Sequence, residues 1–128
     1  MTIDAVDLMR LLDRREVARA AWRTFFDDWD VLVGPMTLDV AFPHESRPFE
    51  ARTLAVDGTE VSYLLNIVYP MWAIFPGQPS TAFPAGLSPA GLPLGLQAIG
   101  PYLEDRTTLR FAQLLEREWT SFTPPPGW

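Results

Sequence analysis

From Val61 to Leu103 the chain contains no charged residue, while both flanks are dense in Asp, Glu and Arg. No other feature restricts the fold as much. A membrane span would explain the missing charge. However, proline or glycine recurs every few residues from Pro70 to Gly95, which leaves no run of about 20 apolar residues to cross a bilayer as one helix. The stretch therefore reads as core. A chain of 128 residues has much surface for its volume, so a long charge-free run suits the inside of something larger. It implies that the chain is a part, or is buried against a partner.

The remaining composition narrows the function. Cysteine is absent, which excludes disulfides, thiolate nucleophiles and thiolate metal sites. All ten basic residues are arginine, so there is no lysine. A formal charge of −6 argues against nucleic acid as a partner, since that would require a basic face. The start, "MTIDAVDLMR", lacks the basic and apolar regions of a signal peptide. A soluble cytoplasmic protein with no membrane contact is expected.

Apolar residues at steps of three and four, from Leu8 and Leu11 to Phe26 and Trp29, predict one long helix over Ile3–Trp29, with Asp4 and Asp7 favouring its start. "DVLVGP", Asp30 to Pro35, reads as a buried strand ended by Gly-Pro. A polar loop from Met36 to Arg52 follows. In "TLAVDGTEV", Asp57-Gly58 signals a turn between two extended pieces. Val61–Phe75 is apolar nearly all round, which predicts a buried helix that Pro70 kinks or restarts. "GQPSTAFPAG" and "GLPLGLQAIG" read as paired strands joined by Leu87–Ala90. Glu104 and Asp105 open a last helix with Leu109, Ala112, Leu115 and Trp119 on one face. Residues 1–128 are read as a single domain with a tail at 123–128.

No self-contained catalytic group emerges. The glycines of "GLPLGLQAIG" lack the spacing, the lysine and the following helix of a phosphate loop, and fit a strand approached closely by another backbone. His44, between Pro43 and Glu45 in a polar loop, is the only histidine and there is no cysteine, so no metal or other cofactor is expected. Asp27, Asp28 and Asp30 suit a solvated helix end better than an acid–base pair. No serine lies in a G-x-S-x-G elbow; Ser80 is notable only for falling within the charge-free run. Trp22, Trp29, Trp72 and Trp119 fall at core-like helical positions. Gln97, alone among apolar neighbours, should hydrogen-bond within the core.

Three stretches in this order carry a resemblance: "WRTFFDDWDVLVGP", "LAVDG" and "PGQPSTAFPAGLSPAGLPLGLQAIGPYLEDRTTLRFAQLLE". Above all, the spacing P-x-G-x-x-x-x-G-L-P-x-G-x-Q-x-x-G over Pro84–Gly100 is similar to the C-terminal part of the amidase signature family. The resemblance implies an α/β fold, with helices packed on a small mixed β-sheet as a C-terminal fragment of the amidase fold. It also implies amide-bond hydrolysis by a Ser–cis-Ser–Lys triad whose members lie in the N-terminal half of the family's proteins. Neither a Gly/Ser-rich segment nor a lysine is present here, so no catalytic residue carries over. The segment Tyr69–Phe75 corresponds to a wall of the acyl pocket, which makes Trp72 and Phe75 the candidate substrate-lining residues; plain core packing is the other account of them. The expectation is a segment inactive alone, structural or pocket-lining in a whole amidase, that forms a homo-oligomer or pairs with a complementary N-terminal portion. Two alternatives stand beside it. One is a stand-alone interaction or ligand-binding module descended from an amidase. The other is an enzyme using His44, Ser80 or the aspartates.

Overall fold

A computed structural model describes residues 2–119, 121–124 and 127. The first helix, α1 (Ala5–Phe26), starts where Asp4 accepts a hydrogen bond from the Asp7 amide at 2.8 Å. Strand β1 (Leu32–Pro35) follows, then an irregular loop. Strands β2 (Thr53–Val56) and β3 (Thr59–Ser62) form a hairpin in which Val56 faces Thr59. Asp57 and Gly58 have φ of 50° and 77°, the pair of positive values that a two-residue turn between twisted strands requires. A short 3-10 segment leads into α2 (Val68–Ile74). Strands β4 (Ser80–Leu87) and β5 (Pro93–Ile99) come next, and α3 (Asp105–Glu118) follows.

The main sheet has the order β1-β5-β4. The architecture is the α/β one expected, with helices on a small sheet, and every ladder among the described residues is antiparallel. β4 shifts register between Pro84 and Gly86, where Pro84 can be tolerated because β4 lies at an edge. On one face, α3 packs over the sheet: Thr81 donates to the Thr108 hydroxyl at 2.8 Å, and Phe83 meets Phe111 edge to face at 6.1 Å. The buried apolar residues are few: Leu54, Ala73, Phe83, Ala98 and Ile99.

Several expectations are corrected by this burial pattern. The segment from Val61 to Phe75 is the end of β3, a 3-10 turn over Tyr63–Ile67 and a short helix, and only Ala73 of α2 is buried. Pro70 lies in the first turn of α2, where its missing N–H has no partner to lose. The inner face of α3 is Thr108, Phe111, Ala112 and Leu115, whereas Leu109 is exposed. Trp29, Trp72 and Trp119 are all exposed, and Trp22 is half-buried. Helical spacing identifies residues that avoid water, but this chain supplies too few neighbours to cover them. Of the tail expected at 123–128, residues 125, 126 and 128 lie outside the described residues.

α1 buries no residue. It is fastened by two arginines. Arg19 Nε donates to the Pro76 carbonyl at 2.6 Å, its Nη1 pairs with Glu16 at 2.7 Å, and its guanidinium lies 4.4 Å from the centre of the Tyr102 ring. Gly77, at φ +79°, turns the chain out of α2 while its amide still bonds Ala73 O at 2.9 Å. A Cβ there would lie 2.6 Å from Arg15 Nη2. Gly91 has a similar φ of +76° with nothing within 4 Å. Both Gly→Ala changes should therefore lose about 1–2 kcal/mol to backbone strain. Gly77→Ala must also displace a guanidinium, so its denaturation midpoint is expected to fall clearly further than that of Gly91→Ala. Equal losses would show that the arginines do not hold this turn.

Candidate functional site

The face of the sheet opposite α3 carries a side-chain amide as its centre. Gln97 is 1% exposed. Its Nε2 donates to Pro35 O and to Tyr69 O, both at 2.9 Å, and its Oε1 accepts from Ser80 Oγ at 3.0 Å. One amide thus ties the end of β1, the first turn of α2 and the start of β4. The hydrogen bonding expected of Gln97 is found, and it is specific. Reversing the amide would set an oxygen against two carbonyls.

α2 lies across this face. Tyr69 and Trp72 meet edge to face at 5.2 Å, and the Trp72 ring approaches Gly34 so closely that a Cβ there would touch it at 3.7 Å. Trp72 and Phe75 are three residues apart at the end of the helix and stay 41% and 40% exposed. Both present apolar ring surface to the outside. Between α1 and β1, Ala18, Ala21, Trp22, Phe25 and Leu32 line an apolar groove of about 350 Å³.

Ser80 is held by Gln97, and no base reaches it among the hydrogen bonds of the described residues. Ser62 and Ser88 accept from the backbone amides of Leu64 and Leu92, so their roles are local turns. Asp27, Asp28 and Asp30 are exposed, and no group of three or more His, Asp or Glu among the described residues could hold a metal ion. The structure brings neither His44 nor the aspartates to Ser80's hydroxyl, so the constellation of His44, Ser80 and aspartate is not assembled.

His44 lines a second groove, of about 460 Å³, between the loop Asp39–Glu45 and the β2–β3 hairpin. Tyr63 anchors this region, with Phe42 and Phe49 edge to face at 5.6 and 5.5 Å. The loop is closed by a local pair: Arg47 Nε and its backbone amide donate to the two oxygens of Glu45 at 2.7 and 2.8 Å. Sequence reading missed both this pair and the Arg15–Arg19 fastening. Arg15 Nε and the amide of Gln78 are buried beside that fastening with no partner among the described residues.

With this geometry in place, comparison with known proteins is informative. The Amidase family model matches residues 1–109. The chain therefore belongs to the Amidase family. A glutamyl-tRNA(Gln) amidotransferase subunit of Methylocella silvestris is 33% identical over 106 residues, which make up 83% of this chain and 20% of that protein. The chain thus spans about a fifth of the length of this curated relative. Among solved structures, a chain from a vestigial protein complex bearing on the origins of an s-triazine catabolic enzyme superposes with a TM-score of 0.74 at 24% identity, covering 91% of this chain and 25% of that one. The corresponding glutamyl-tRNA(Gln) amidotransferase subunit of Thermotoga maritima gives 0.69 at 22% identity, covering 88% and 23%. These two likenesses establish the fold. No helix among the described residues is long and apolar enough to cross a membrane.

The hydrogen bonds from Arg47, side chain first and backbone second, lower the Glu45 pKa from 4.5 to about 2. Because the folded value is the lower one, this contribution to the loop is complete above the ordinary glutamate range and fades as pH falls from 4.5 toward about 2. An NMR titration should give a Glu45 midpoint near 2, returning to the ordinary range in Arg47→Ala. A normal midpoint in the unaltered chain would mean that the pair is absent in solution.

Proposed function

We propose that this chain is the C-terminal segment of an amide hydrolase, that it carries no catalytic group of its own, and that it walls the acyl pocket with Trp72 and Phe75 when joined to a complementary portion bearing the serines and lysine. A cytoplasmic location goes with this reading. The observation that carries it is the accessible surface. The chain exposes 9627 Å². A compact monomer of 14.4 kDa would expose about 6,800 Å². The excess is apolar in character, since twenty-six large hydrophobic residues among the described ones are exposed. It comes to about 2,800 Å². Obligate interfaces bury about 2,000–5,000 Å² or more in total over both partners, so an excess of this size matches one partner's share of a large obligate interface. The family match and the one-fifth coverage of the curated relative support the reading that the rest of an amidase would supply the missing neighbours.

The chain alone is expected to form a homo-oligomer through its uncovered surfaces and to release no ammonia from simple amides. Mixed with a polypeptide carrying the Ser-Ser-Lys portion, it should form a one-to-one complex with measurable amide hydrolysis. Light scattering and an ammonia assay on the same samples decide the matter. Hydrolysis by the chain alone would refute the reading. A monodisperse oligomer that ignores the complementary portion would instead favour a stand-alone interaction module.

A further inference from the structure

α2 is unusual in how it is held. Only Ala73 is buried, so apolar packing does little to fix it. Polar contacts from distant parts of the chain grip it at two points instead. Near its start, Tyr69 O accepts from Gln97 Nε2 at 2.9 Å, across 28 positions. Just past its end, Pro76 O accepts from Arg19 Nε at 2.6 Å, across 57. Trp72 and Phe75 lie between these two points. We propose that Gln97 is the positioning residue that sets the pose of this aromatic wall, so that an amide remote from the ring surface determines how an acyl group would meet it. The proposal rests on the reading of α2 as a pocket wall.

The geometry gives Gln97 this leverage. Its second donor is spent on Pro35 O at the end of β1, and Gly34, one residue earlier, is what Trp72 lies against. The same amide therefore fixes both the helix that carries Trp72 and the strand that backs it. Ser80 donates to the acceptor, and the two carbonyls, which can only accept, prevent the amide from reversing. A methionine at position 97 would keep the length and lose both donors. A glutamate would set a carboxylate against two carbonyls.

Indole Nε1 resonances of the full chain test the positioning. In Gln97→Met the Trp72 signal should move while those of Trp22 and Trp29 stay in place. A folded variant with Trp72 unmoved, or with all the indoles moved alike, overturns the proposal. If Gln97→Met does not fold, the unaltered chain decides: both Gln97 Nε2 protons should exchange with solvent at least about tenfold more slowly than those of exposed Gln113. Equal rates overturn it. In the active complex, Gln97→Met should raise KM for the amide by about tenfold or more and leave kcat within about twofold. An unchanged KM beside a shifted Trp72 also overturns the pocket role. A wild-type complex with no activity would instead refute the amidase reading and leave the indole result standing.

Discussion

The side-chain amide of Gln97 is the interaction on which the main sheet and the placing of α2 depend most. It is buried in the middle of a small sheet and reaches three segments that are far apart in sequence. An amide buried without partners would cost about 2–7 kcal/mol. Here both donors and one acceptor are used, so the penalty becomes a requirement: the sheet closes well only with Pro35, Tyr69 and Ser80 in place. In a chain with so few buried apolar residues, polar satisfaction specifies the arrangement more sharply than packing does.

The same economy applies to α1. A 22-residue helix that buries nothing would normally have no fixed place, yet Arg19 bonds a carbonyl, a carboxylate and an aromatic face at once. A guanidinium can do this because its donors are planar and point in several directions, while an ammonium is a compact point charge. The exclusive use of arginine in this sequence fits that role at Arg19. Both fastenings converge on α2, one at each end. A short, poorly buried helix thereby becomes the most constrained piece of exposed apolar surface in the molecule.

The local part of this structure was legible in the sequence. Asp57-Gly58 announced its hairpin because the two-residue turn needs positive φ at both positions. Asp4 announced the start of α1 through its cap, and the Gly/Pro-rich stretches announced the β4–β5 pair. Burial was not legible. Leu109, Trp29 and Trp119 have helical spacing suited to a core and are exposed, because spacing reports aversion to water and not the neighbours at hand. At the candidate site, Trp72 and Phe75 could be named from the resemblance and Gln97 from its isolation among apolar residues. The arginine fastening could not be found, since it joins residues 57 positions apart and leaves no local pattern.

These two kinds of legibility meet in the charge-free run from Val61 to Leu103. Leu64, Leu65, Ile67, Ile74, Leu87 and Leu103 are all exposed within it. A surface exposed to water by design would intersperse charge, which keeps chains apart and protects open sheet edges. Both outer strands, β1 and β4, are open edges here, and neither carries a charged residue. Uncharged edges continuous with uncharged apolar faces are suited to being paired and covered. The excess accessible area equals one partner's share of a large obligate interface and is distributed over the helices, the strands and the loops. A second copy meeting a single face would cover part of it. An enclosing body that continues the sheet at both edges and covers the helices would remove more of it, and a charge-free run of this length suits that degree of enclosure better than contact through a single face.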